Sequence, residues 1–289
     1  MMTQLNELKI HRWLQNVLLG SAAMSDETIE RVAGDISAAL SKQFKESRKG
    51  QPFRWRMSNI GRPYCQMWYD KNHPNAAKPH NTTFLLNMIV GDIVEAVFKG
   101  VMTEAGVKYE DSKQVTAKFG DQQIDGTNDL TIDNKVWDVK TASAWSYNNK
   151  FSSAADLAQA DTFGYIAQLC GYAEAEDIEP GGWIVINKNN MEFKFVSYDL
   201  DNKKEVVQEI ADKTAELERN EFRRCYEPIA ETFYKKPTGN MILSTTCGFC
   251  AYREDCWDGK VSEEPSRVSK AANKPMVVYL DDYVYRQSV

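Results

Sequence analysis

The sequence contains no apolar run approaching the roughly 18 residues that span a bilayer, so membrane-spanning helices are not expected. Its opening, MMTQLNELKIHRW, lacks the uninterrupted apolar stretch of a secretory signal, which points to a cytoplasmic protein, or one of the host cytoplasm if the gene is viral. With Gly 16 and Pro 9 and no repeat or low-complexity tract, it is neither collagenous, mucin-like nor disordered. No G-x4-G-K-[ST] loop is present, and 289 residues leave no room for a helicase motor. Positive charge is not in excess either: 35 Lys and Arg against 41 Asp and Glu give a net charge of −6. That argues against a wholly basic surface coating nucleic acid, but not against an enzyme that meets DNA along a local basic path.

What is present is an ordinary globular composition, 43% hydrophobic and 26% charged, long enough for two domains or one large α/β domain with appended helices. Residues 1–48 read as helical, with Ser25 as a helix start and Ile29, Val32, Ile36 and Leu40 near helical spacing. Lys42, Lys45, Arg48, Lys49, Arg54 and Arg56, interleaved with Phe44, Phe53 and Trp55, have the composition of a surface for phosphates and bases, or of a solvated helix end. Pro52, Pro63, Pro74 and Pro79 break up residues 50–81. A helix follows with a broad apolar stripe from Ile89 to Met102.

From Lys113 to Thr141 the pattern becomes β-prone, with Asp133-Asn134 as a tight turn. A helix over 154–176, a hairpin turning at Asn189-Asn190 and a polar helix over 202–222 complete the core. The expected fold class is α/β with a mixed central sheet flanked by helices. The expected segments are 1–81 (helical), 82–236 (core) and 237–289 (cysteine-rich, with a loop-rich tail).

The most informative stretch is Asp138-Val139-Lys140. Residues two apart on a strand share a face, so Asp138 and Lys140 point together. If Asp133-Asn134 is a two-residue turn, positions summing to 267 face each other and Asp129 lies opposite Asp138. Like charges so placed destabilise a hairpin, and a divalent cation between them makes the arrangement tolerable. Asp125 would share that face if its strand continued through Gly126. Glu95 stands on or beside an apolar helix face, a costly place for a lone carboxylate. Glu95, Asp129 and Asp138 together would make an oxygen-rich site suited to Mg²⁺ or Mn²⁺. Lys140 would orient a water or stabilise developing charge. The plain alternative is a set of solvated positions.

These residues resemble the PD-(D/E)XK nuclease superfamily in its RecB-like branch. Gly91 to Glu95 matches G-x3-E, Gly126-Thr-Asn-Asp129 matches G-x-x-D, and Asp138 to Thr141 reads D-V-K-T. Gln168 and Tyr172 match the downstream Q-x3-Y motif and are i,i+4 neighbours on one helix face. Many members carry a metal-binding His where this chain has Glu95; His11, His73 and His80 stand elsewhere.

Six cysteines without a secretory signal read as thiols or metal ligands. Cys247, Cys250 and Cys256 form C-x2-C-x5-C, which calls for a metal centre, with Cys65, Cys170 and Cys225 as candidates for a fourth ligand. The resemblance extends here to iron–sulfur members of the branch, the CRISPR-associated adaptation nucleases and AddB-type nucleases. It implies a structural 4Fe–4S cluster on Cys65, Cys247, Cys250 and Cys256; zinc is the alternative. The activity implied is metal-dependent hydrolysis of DNA phosphodiesters, exonucleolytic, on single strands or duplex ends. Phe53 to Arg56 and Trp145 to Lys150 are candidate strand contacts, though each aromatic reads equally as core. Partners would be DNA and helicase or recombination proteins, and a phage origin fits. The rival reading is a non-catalytic DNA-binding or adaptation-complex subunit retaining the fold.

Overall fold

The computed structural model describes residues 2–45, 52–79, 82–262 and 279–280. Arg48, Lys49, His80 and most of the tail after 262 therefore lie outside the described residues. Helices α1 (Met2–Leu18), α2 (Asp26–Lys45), α3 (Tyr64–Asn72) and α4 (Thr82–Glu104) come first. Strands β1 (Glu110–Asp111), β2 (Gln114–Phe119), β3 (Gln122–Thr127), β4 (Leu130–Ile132) and β5 (Lys135–Ala142) follow. Then come α5 (Ala154–Ala160), α6 (Tyr165–Ala175), β6 (Glu179–Asn187), β7 (Phe193–Ser197), α7 (Lys203–Arg219), β8 (Ile229–Phe233) and β9 (Lys236–Ile242).

By its contacts the chain divides into two units. Residues 2–45, 55–61 and 82–215 make the first; residues 52–54, 62–79 and those from 216 onward make the second. The amino-terminal helices thus belong with the core, and α3 belongs with the cysteine-bearing segment.

The first unit is α/β. Its five-stranded sheet runs β1-β4-β5-β6-β7, with β5 and β6 parallel and the other neighbours antiparallel. Asp133 and Asn134 both take positive φ, 52° and 56°, as a two-residue hairpin with the strand twist requires. The resulting register pairs Leu130 with Trp137 and Ile132 with Lys135. Trp137 and Val139 enter a core with Ile10 of α1, Phe98 and Met102 of α4, and Ile184 and Ile186 of β6. Strand alternation then turns Asp138 and Lys140 to the other face. The Phe193–Ser197 strand pairs with β6 in a register centred on Asn189-Asn190.

Two expectations differ. The β-meander is not continuous: β2 and β3 form a separate two-stranded sheet, and the break at Asn128-Asp129 separates β3 from β4. The helix over 154–176 is interrupted, because the Asp161 carboxylate captures the N–H groups of Phe163, Gly164, Tyr165 and Ile166 and starts α6 afresh. Gly164 sits there at φ 78°, with Gly61 packed against its backbone.

The second unit contains the β8–β9 hairpin, which sequence reading missed. Its turn residues Tyr234 and Lys235 have φ 47° and 64°, and neither is the Asn or Gly that advertises such a turn.

A methyl group on Gly61 would come within 2.3 Å of Gly164 Cα, which is backbone and cannot step aside. Gly61→Ala is therefore expected to lower stability by about 2 kcal/mol or more. Gly34, inside α2, has open space around its Cβ position. Gly34→Ala should stabilise by about 0.5–1 kcal/mol. Thermal or denaturant unfolding of the two variants should therefore give shifts of opposite sign.

Candidate functional site

The β5 strand positions the site. Asp138 is 1% exposed, and its Oδ2 lies 2.5 Å from Lys140 Nζ. Asp129 stands one residue beyond the β4–β5 ladder, and its Oδ2 accepts the Val139 N–H at 2.7 Å. The side chain thus continues the strand pairing that the backbone leaves off. From α4, Glu95 Oε1 pairs with Lys99 Nζ at 2.9 Å, and Lys99 also reaches Asp111 Oδ1 at 3.1 Å. The Gly91 position approaches the Thr141 hydroxyl at the end of β5. From α6, Tyr165 presents its ring to Lys140 at 5.2 Å. One turn on, Gln168 Nε2 lies 3.5 Å from the hydroxyl of buried Tyr172.

The charges in this group act on one another. Burial pushes the Asp138 carboxyl up to about 8; Lys140 pulls it down, and the Asp129 carboxylate pushes it up. Burial likewise raises Glu95 to about 7, with Asp129 adding to the rise and Lys99 opposing it. Lys140 is held protonated by Asp138 and Asp129 despite its own desolvation. The Tyr172 hydroxyl is raised by burial and feels both Asp138 and Asp129. Glu95, Asp129, Asp138, Lys140, Gln168 and Tyr172 thus form one electrostatic neighbourhood. Asp125 is outside it: exposed on β3, it accepts a hydrogen bond from Thr116 Oγ1 at 2.7 Å.

Both cofactor expectations require correction. Among the described residues, no group of three or more His, Cys, Asp or Glu side chains is arranged to hold a metal ion. Of Glu95, Asp129 and Asp138, the expected holders of Mg²⁺ or Mn²⁺, Glu95 is paired with Lys99 and Asp129 accepts the Val139 N–H, while Asp138 is ion-paired with Lys140 and its carboxylate oxygens have no hydrogen-bond donor. For the 4Fe–4S cluster, Cys65, Cys247, Cys250 and Cys256 border one pocket without forming a ligand set. Burial raises Cys247, and lifts Cys250 and Cys256 to about 11. Cys65 pairs with Cys225, donating its N–H to Cys225 Sγ at 3.0 Å. The thiol contact between them raises Cys65 and lowers Cys225 to about 7. Cys170 is a buried thiol beside the Tyr198 hydroxyl in the first unit.

Of the candidate strand contacts, Trp145 is 66% exposed. Tyr147 is buried, with Lys194 over its ring at 4.3 Å. Trp55 is buried as well, which fits its reading as core. Sequence reading missed Tyr165, since a tyrosine at a helix start carries no pattern that announces contact with a lysine on a distant strand.

No protein-family model matches the chain, and no curated protein does. Among solved structures, the crystal structure of SSO0001 is similar at a TM-score of 0.40 and 14% identity, over 63% of this chain and 84% of that one. A likeness at that level supports no conclusion about fold or function. Among the described residues, no helix is long and apolar enough to cross a membrane.

Because the folded protein holds the Glu95 proton up to about 7, while an unfolded glutamate releases it near 4.5, folding takes up a proton between those values. The Glu95 contribution is fully present below about 4.5 and is lost as pH rises through about 7. Glu95→Gln leaves Lys99 its Asp111 partner. The variant should remove on the order of 2 kcal/mol of the stability lost between pH 5 and pH 8, as read from denaturant midpoints across that range.

Proposed function

We propose that this chain is a DNA nuclease of the PD-(D/E)XK type, hydrolysing phosphodiester bonds as an exonuclease on single strands or duplex ends. The observation that carries the reading is the Asp138–Lys140 ion pair: a buried carboxylate against a half-buried ammonium, with two further carboxylates crowding it. Desolvating two charges costs several kcal/mol per ion, and well-packed apolar residues would often serve stability as well or better. Strongly shifted groups gathered this way are a mark of functional sites. The matching motif order, from Gly91–Glu95 through Asp129 and Asp138–Lys140 to Gln168 and Tyr172, supports the same reading.

In this reading the residues divide the chemistry. In its ionised form, paired with Lys140, Asp138 has a proton affinity raised by burial and accepts a proton from the attacking water. The Lys140 ammonium, held charged, lies against the phosphate oxygens and stabilises the charge that builds on them. Asp129, fixed by the Val139 N–H, is the neighbouring carboxylate that adds to the burial-driven rise in the Asp138 proton affinity. Gln168 and Tyr172 orient the substrate from α6. In this reading the chain works on ends opened by helicase or recombination partners.

The test is a time course on DNA labelled separately at each end, run in buffers with and without divalent salts. Shortening from one labelled end is expected, with Asp138→Ala and Lys140→Ala each slowing it about 10²-fold or more. Tight binding with no cleavage under any condition would contradict the reading and leave the non-catalytic DNA-binding subunit in its place.

A further inference from the structure

Beyond the carboxylates, the first unit holds a second lysine in an unusual position. Lys150 closes the short helical turn Ser146–Lys150 that follows β5, and it is 8% exposed. Among the described residues no ion pair or hydrogen bond holds its ammonium. It lies instead over two aromatic rings, Phe163 at 5.2 Å and Tyr165 at 5.1 Å. Asp161 is the acid that bears on it, and that carboxylate is committed to capping α6. Burial accordingly holds Lys150 below the usual lysine range. Cation–π contact offsets only part of the cost of burying an ammonium. A buried cation without an anion is therefore incomplete, and in low dielectric it attracts an arriving anion more strongly than a solvated lysine does.

Position suggests which anion this is. Lys140 and Lys150 face the same Tyr165 ring, each about 5 Å from its centre, so no more than about 10 Å separates the two ammoniums. Phe163 stacks on Tyr165 with centroids 5.7 Å apart and planes 24° from parallel, yet it remains 50% exposed. The row thus runs from the Asp138–Lys140 pair through Tyr165 and Lys150 to an aromatic ring open to solvent. Alternating cations and aromatic faces suit a single nucleic-acid strand, whose phosphates take the cations and whose bases stack.

We propose that Lys150 and Phe163 form a nucleotide-binding position next to the Asp138–Lys140 site, Lys150 taking a backbone phosphate and Phe163 stacking the attached base. The proposal rests on the nuclease reading for its substrate, and it selects unpaired strand over intact duplex, whose bases are stacked on one another and closed to Phe163.

The test measures binding of a fluorescent single-stranded oligonucleotide to the full chain across a salt series, beside the same sequence as blunt duplex. Lys150→Gln should weaken single-strand binding several-fold and reduce the slope of log K against log salt by about 0.7, the loss of one phosphate contact. Lys150→Arg should restore the slope. Phe163→Ala should weaken binding about tenfold with the slope unchanged, as loss of one stacked base predicts. Thermal melting shows whether the variants fold, and Lys150→Met and Phe163→Leu carry the comparison where they do not. Unchanged affinity and slope in folded variants would overturn the proposal while leaving cleavage untouched. Conversely, binding that responds as expected in a protein that never cleaves would sustain this position and refute the nuclease reading.

Discussion

The first unit is organised around an ion pair whose carboxylate is buried and whose ammonium is half-buried. Asp138 and Lys140 sit two apart on β5, so the pleat brings them to one face while Trp137 and Val139 fill the apolar core on the other. The strand therefore has to satisfy both requirements at once, and its neighbours follow. The parallel partner β6 lies alongside, pairing Asp138 with Trp183 and Lys140 with Val185, both fully buried. The tight Asp133-Asn134 turn fixes which residue of the preceding segment arrives beside Asp138, and that residue is Asp129. A one-residue slip would bury Val139 among carboxylates and push Asp138 into the core.

Much of this was legible because hairpin register is arithmetic once the turn is known. Asp133-Asn134 has the residues that accept positive φ, and from that turn the facing of Asp129 and Asp138 follows. The convergence of Glu95 was legible for a different reason, a carboxylate beside an apolar stripe. What the pattern could not reveal was that Glu95 and Asp129 have local donors while the Asp138 oxygens have only the Lys140 ion pair. Lys99 lies one turn beyond Glu95 on its own helix, and a backbone N–H serves Asp129; crowded acids are read from sequence as unpartnered when local donors already hold them. That is why the expected dication does not follow from the geometry.

The same limit applies to the cysteines. Their spacing announces thiols brought near one another, and four of them do border one pocket. Spacing says nothing about protonation or about competition from another thiol. Cys225 is the example: no motif surrounds it, yet it takes the Cys65 N–H and the Cys65 thiol for itself. The Asp161 cap was hidden similarly, since helical periodicity runs through 154–176 while one aspartate gathering four N–H groups breaks the helix and sets Tyr165 where Lys140 and Lys150 meet it.

The central claim is that burial and mutual repulsion raise the proton affinity of the carboxyls beside Lys140 above the usual carboxylate range. Carboxyl-carbon NMR titration of the full chain, labelled at Asp and Glu, addresses it directly. The account predicts two carboxyls that titrate near pH 7 to 8, assigned to Glu95 and Asp138 by their loss in Glu95→Gln and Asp138→Asn. If every Asp and Glu carboxyl titrates in the ordinary range near 4, the cluster is solvated and the account is contradicted.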